Sequence, residues 1–186
     1  MKRVSIHIGE MYASREPVVV ETVLGSCVAA CLYDPVNRVG GMNHFLLPRP
    51  CQRDPSLARY GEHSMPLLMQ RILELGGEKK YLQAKVFGAA SVLQMRETRL
   101  SVPRANEQFV RQFLRAQRIP VLAERLGGQD ALKVRMFTGT GKALVRAISR
   151  SRLHRSRADN EERALAVVAR RWSWFEGSIC REGADG

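Results

Sequence analysis

Apolar and polar residues alternate along 3–8, Arg-Val-Ser-Ile-His-Ile, which predicts a first strand. Val4, Ile6 and Ile8 share one face, and Arg3, Ser5 and His7 the other. Gly9-Glu10 ends it, residues 14–17 form a loop, and residues 18–23 make a second strand. The stretch that organises the chain is 18–48, VVVETVLGSCVAACLYDPVNRVGGMNHFLLP. It reads as two short strands meeting at Asp34-Pro35-Val36-Asn37, a turn composition with proline where a fixed φ helps. Pairing Asp34 with Asn37 sets Cys31 opposite Gly40, Ala29 opposite Met42 and Cys27 opposite His44. A bulge or a four-residue loop would shift that register by one.

A different period takes over at 64–75, where Met65, Leu68, Ile72 and Leu75 fall on one helical face. Ser64 is its expected N-cap, Pro66 sits in the first turn and Gly76 is the stop. Residues 82–87 form a strand, and Gly88-Ala89-Ala90-Ser91 a tight turn whose small side chains let another backbone or a substrate approach. Asn106 is the expected cap of a helix over 107–116, with Phe109, Val110, Phe113 and Leu114 apolar. Strands follow at 119–123, 134–137 and 143–148, the last two joined by Thr138-Gly139-Thr140-Gly141-Lys142. That glycine-rich turn has no helix after it, so it is a hairpin and not a phosphate loop. About seven strands, both parallel and antiparallel, with two helices predict a single α/β domain with layered sheets and helices on one side.

Beyond it, residues 149–158 read as a basic linker with Arg150, Arg152, Arg155 and Arg157. Residues 159–186 read as a further helix to about Phe175 and a disordered tail. Leu165, Val168, Trp172 and Phe175 give that helix an apolar stripe among arginines. Packing on the domain is its expected role; docking a partner or touching an anionic membrane surface are the alternatives.

The hairpin carries the candidate chemistry. Cys27, Ala29 and Cys31 share one face by the two-residue period, and Gly40, Met42 and His44 share the face meeting it. A cysteine at its free pKa is a few per cent thiolate, and an adjacent imidazole raises that fraction and can later protonate a leaving group. Gly25-Ser26 supplies a flexible turn whose amides can face an oxyanion. The competing reading makes Cys27 a buried small hydrophobe and His44 a strand residue. Metal binding fits poorly, because Cys27 and Cys31 lie roughly 13 Å apart along a strand while zinc ligands converge at about 2.3 Å.

Several blocks, in order along the chain, bear on that choice. They are 24–35, LGSCVAACLYDP; 40–44, GGMNH; Leu47-Pro48; Arg59-Tyr60-Gly61; 87–91, FGAAS; and 138–141, TGTG. Over about residues 3–148 the sequence resembles the CheD family, bacterial chemoreceptor glutamine deamidases. The resemblance implies an α/β/β sandwich and a cytoplasmic hydrolase that converts particular receptor glutamines to glutamate and ammonia without a cofactor. Its nucleophile falls on Cys27 and its base on His44. The family's third residue, a threonine six positions before the cysteine, is Glu21 here, with Thr22 one step later. Alternation puts those two on opposite faces, so Thr22 needs a local bulge to orient His44, or Glu21 accepts the imidazole N–H. Asn43, beside His44, is a further candidate for backbone or oxyanion contacts. Two other blocks depart from the pattern: Pro103-Arg104-Ala105-Asn106, with alanine and arginine exchanged, and Ala131-Leu132-Lys133. Implied partners are the cytoplasmic helices of chemoreceptors and a CheC-type phosphatase. A binding module with little activity is the alternative function.

Composition narrows the field. The 186 residues are 45% hydrophobic, enough for a sizeable core, and no apolar run approaches the ~20 residues of a membrane span. With no signal segment over 1–20, the four cysteines are expected to be reduced thiols. A formal charge of +12 calls for an acidic partner. Nucleic acid is disfavoured by the 6% aromatic content and by the lack of any recognition motif.

Overall fold

The computed structural model of the protein describes residues 1–50, 57–91 and 101–148. The linker, helix and tail expected over 149–186 lie outside them, as do Cys51 and Cys180. Strands β1 (Lys2–Ser5), β3 (Val18–Leu24), β8 (Ala131–Phe137) and β9 (Ala143–Ile148) form one sheet, in the order β1-β3-β8-β9. Strands β2 (Met11–Ser14), β5 (Val39–Asn43), β4 (Val28–Asp34), β6 (Gln83–Gly88) and β7 (Val121–Leu126) form a second, in that order. Both sheets are mixed, with β1–β3 and β6–β7 parallel and the other pairs antiparallel. Helices α1 (Gly61–Glu74) and α2 (Val102–Ala116) cover the outer face of the second sheet. The domain is therefore the expected α/β/β sandwich.

The sequence pattern explains which sheet lies in the middle. In β3 and β8 the even positions pair and are buried: Val20 with Met136, Thr22 with Val134, Leu24 with Leu132. The odd positions, Glu21, Val23, Lys133 and Arg135, are half-exposed, as expected of a sheet with one wet face. Strands β4 and β5 are buried almost throughout, the signature of a sheet covered on both faces. Val28, Ala30 and Leu32 pack with Met65, Leu68 and Ile72 of α1 and with Val110 and Leu114 of α2. Adjacent glycines let both neighbours close in. A Cβ on Gly40 would lie 2.9 Å from the Thr138 carbonyl oxygen of the first sheet, and one on Gly41 2.7 Å from Ala13 Cβ of β2.

The hairpin register differs from the sequence expectation. Asp34 pairs with Val39 across a four-residue turn, and Cys31 lies opposite Met42. The Asp34 carboxylate accepts hydrogen bonds from Val36 N, Asn37 N, Asn37 Nδ2 and Glu78 N, so it serves the amides inside the wider turn. Arg38 closes the turn in the left-handed region, at φ 56°. The register moves by two residues, not one, so every side chain keeps its face.

Both helices begin earlier than expected, and neither expected cap is one. Helix α1 starts at Gly61, with Tyr60 preceding it and making no side-chain cap. Ser64 lies inside the helix, buried, and its hydroxyl accepts from Asn43 Nδ2. Helix α2 starts at Val102 with Pro103 in its first turn, and Asn106 is fully buried within it. Short polar side chains near a helix start resemble caps in sequence, but here tertiary hydrogen bonds claim them. Strand β2 had no expectation behind it, and β8 begins three residues before the expected 134.

Candidate active site

Cys27 ends the short loop that carries the chain from β3 in one sheet to β4 in the other. His44 follows the last residue of β5. Both are fully buried. The Val28–Phe45 bridge continues the β4–β5 register, so His44 sits beside Ala29 and diagonally from Cys27. Diagonal neighbours on one face have Cα atoms about 7–8 Å apart, within reach of long or aromatic side chains.

Thr22 meets His44 across the space between the sheets, its Oγ1 2.9 Å from His44 Nδ1. The same hydroxyl donates its one proton to the Ile6 carbonyl at 2.8 Å. It therefore accepts from Nδ1–H, which leaves Nε2 as the basic nitrogen of the ring. No bulge is needed, because Thr22 and His44 point into the same interlayer. Glu21 points the other way, to the wet face, where Arg135 Nε lies 3.0 Å and Lys133 Nζ 3.4 Å from its carboxylate. Partial burial works to raise that carboxyl, but the Arg135 hydrogen bond and the Lys133 charge outweigh it and hold it below its ordinary range. Glu21 is thus not the group beside the imidazole.

Burial pushes the His44 imidazole down to about 3, with the charge of His7 a smaller cause, so the ring is neutral at working pH. Stability follows from the sign of that shift. An unfolded histidine binds its proton near 6.5, whereas the folded one refuses it until about 3. The contribution is complete above about pH 6.5 and is lost on acidification, by up to ~1.4 kcal/mol per unit within that window. Urea midpoints should fall from pH 7 to pH 5, and His44→Gln should flatten that slope; an unchanged slope would contradict the assignment.

The loop before Cys27 is anchored by its carbonyls. Ala90 N donates to Gly25 O at 2.8 Å, Ala89 N to Cys27 O at 2.7 Å, and Asn106 Nδ2 to Ser26 O at 2.9 Å. Across a planar trans peptide the next N–H points oppositely, so the amides of Ser26 and Cys27 face away from these anchors. The small-residue turn at 88–91 thus receives another backbone. A Cβ on Gly88 would overlap the Cys27 carbonyl oxygen, and its φ of 115° suits glycine alone. Gly88→Ala should cost at least about 3 kcal/mol. A chemical-denaturation midpoint equal to the wild type's would show that the contact carries no such constraint.

Of the other sequence candidates, Asn43 lies on the helix side of its sheet, opposite to His44. Its side chain accepts from Ala30 N and donates to Ser64 Oγ, and so joins sheet to helix. Burial pushes the Cys31 thiol up to about 12, against a smaller pull from Lys85, which leaves it an inert packing group. An open groove of about 660 Å³ runs beside the His44 end of β5. Ile8, Gly9, Leu57, Arg59, His63 and Leu67 are among its walls. Two hydrogen bonds, Gly9 N to His44 O and Leu46 N to Arg59 O, both 2.8 Å, tie those walls to the site.

Known proteins resemble this chain in sequence. The family model for CheD chemotactic sensory transduction matches residues 46–147. A "Probable chemoreceptor glutamine deamidase CheD" of Rhodospirillum rubrum is 49% identical over 140 residues, covering 75% of this chain and 79% of that protein. The chain belongs to the CheD family. Proteins of the same description in Burkholderia mallei and Burkholderia pseudomallei are 44% identical over 144 residues. The chain spans 61% of their length. The CheD model match begins two residues after His44, so the placement of Cys27, His44 and Thr22 stands on the geometry.

Asn106 was legible only as a helix cap. Its partners, the carbonyls of Ser26 and Leu46, come from segments 80 and 60 residues away, so no local signal marked it.

Proposed function

We propose that this CheD protein hydrolyses the side-chain amide of particular glutamines in chemoreceptors, with Cys27 as nucleophile and His44 as base. Membership of the family makes it a glutamine deamidase in general terms; the residue roles and the receptor substrate are this proposal. The observation that carries the roles is the Thr22–His44 hydrogen bond, which fixes Nδ1–H and keeps Nε2 basic.

His44 Nε2 takes the Cys27 thiol proton as the sulfur attacks the side-chain carbonyl carbon. The carbonyl oxygen becomes an oxyanion, for which the amides of loop 25–27 supply donors. The imidazolium, held by Thr22, gives its proton to the amide nitrogen, and ammonia leaves a thioester on Cys27. Water, losing a proton to His44, then attacks the thioester and releases glutamate and the thiol. The resting imidazole is neutral and so can take up a proton at the start of each half-reaction, and the thiolate formed beside it offsets the burial that disfavours the imidazolium. The groove whose walls are hydrogen-bonded to the His44 segment is where residues flanking a protein-borne glutamine would rest. No helix among the described residues is long and apolar enough to cross a membrane. A cytoplasmic location, where receptor helices and a CheC-type phosphatase would meet it, belongs to the proposal.

Mass spectrometry of receptor cytoplasmic fragments incubated with the protein should show gains of about 1 Da at particular glutamines, as NH₂ is exchanged for OH. Tight binding of receptor or of the CheC-type phosphatase with no such gain would favour the binding-module reading instead.

A further inference from the structure

The three carbonyls of the Cys27 loop are held by different means. Backbone amides of Ala89 and Ala90 reach Cys27 O and Gly25 O, but Ser26 O, between them, is reached by the side chain of Asn106. The same Nδ2 also donates to Leu46 O, again at 2.9 Å. One amide nitrogen therefore spends both its protons bridging two chain segments. One segment ends at Cys27, and the other runs two residues past His44. The register that pairs Val28 with Phe45 brings those segments side by side.

Both partners are carbonyls, which only accept, so the nitrogen must face them and the amide cannot flip. Its Oδ1 is consequently turned away. That oxygen is buried and has no hydrogen-bond partner among the described residues, and the same is true of Ser26 Oγ. An orphaned buried acceptor disfavours the folded state and offsets part of what the two donated bonds contribute to stability. What the amide provides, and an apolar residue of similar size would not, is the pair of donated bonds. Helix α2 supplies it from its first turns, which links the helical layer to the loop between the sheets.

We propose that Asn106 is a positioning residue. It pins the Cys27 loop to the strand end that carries His44 and so sets the approach of thiol to imidazole. This rests on the reading of Cys27 and His44 as nucleophile and base. Small displacements matter at that point, since about 1 Å of misplacement can cost on the order of 10²-fold in rate.

Two variants test it. Asn106→Leu keeps the heavy-atom count and branching and loses both donated bonds. Asn106→Asp keeps the shape; a carboxylate facing two carbonyls stays protonated, so one bond at most survives. With the receptor fragment as substrate, kcat should fall about 10–100-fold in Asn106→Leu and several-fold in Asn106→Asp, with KM within about twofold. The pH profile of Cys27 alkylation by iodoacetamide, read on the Cys27 peptide, should move toward that of an ordinary thiol, near about 8.5. Thr138→Val is the control. Its hydroxyl joins Val18 N and Glu16 O at the far end of β3, so its loss should lower stability and leave the alkylation profile in place. A wild-type kcat and alkylation profile in Asn106→Leu overturns the proposal. If that variant does not fold, the same result in Asn106→Asp overturns it. A wild type that alkylates as expected but never deamidates would sink the substrate reading alone, because the alkylation comparison needs no turnover.

Discussion

Cys27→Ala should remove deamidation of receptor glutamines altogether, a loss of at least about 10⁴-fold in kcat. The side chain is fully buried and small, so removing its sulfur leaves a void little larger than one atom, and the fold should persist. No other described cysteine can stand in. Cys31 lies four residues along β4, with its thiol pushed up to about 12 by burial. Incubating the variant with receptor fragments and comparing peptide masses gives the answer directly. If Cys27→Ala produces the same mass gains as the wild type, the nucleophile has been misassigned. His44→Gln should fall nearly as far, since subtilisin-type experience shows that paired nucleophile and base fail together.

The second large effect concerns what holds the imidazole. Thr22→Val is close to isosteric and removes the oxygen that accepts Nδ1–H. The ring can then take the tautomer with hydrogen on Nε2, which cannot receive the thiol proton. A fall in kcat of about 10²-fold or more is expected, with KM little changed and partial recovery in Thr22→Ser. If the ring instead keeps its proton on Nδ1, that N–H is stranded inside the protein at a cost of about 1–3 kcal/mol. Glu21→Gln should keep kcat within about twofold, because its partners are Arg135 and Lys133 on the wet face. The reverse outcome, a dead Glu21→Gln and an active Thr22→Val, would make the acidic residue the orienter after all. Steady-state kinetics on the two single variants separates these cases.

The candidate pair was legible in the chain because β-strand alternation survives errors of register. The expected pairing of Cys27 with His44 was two residues off, yet an even slip leaves side-chain faces unchanged, so alternation still assigns the two residues to one face. An odd slip would have put them on opposite faces. The third residue was harder. Counting back from Cys27 reaches Glu21, whereas the geometry selects Thr22, because only the even positions of β3 face the other sheet.

Ser64 and Asn106 show a different failure. Each is a short polar residue near a helix start, a local signal for capping. Nothing local says that Asn43 or the carbonyls of Ser26 and Leu46 will arrive beside them. Asp34 misled in a similar way, since its carboxylate reaches Glu78 N, 44 residues on, as well as its own turn.

By itself the sequence determined the layer type of most of the described segments, the family, and the candidate pair Cys27 and His44. Those depend on local periods and on motif spacing, which the chain carries in its order. The tertiary structure alone decided which oxygen meets Nδ1 of His44, which tautomer follows, and what anchors the loop before Cys27. Each of those contacts joins segments from different layers, and hydrogen bonds at about 2.9 Å are fixed only when the layers have packed.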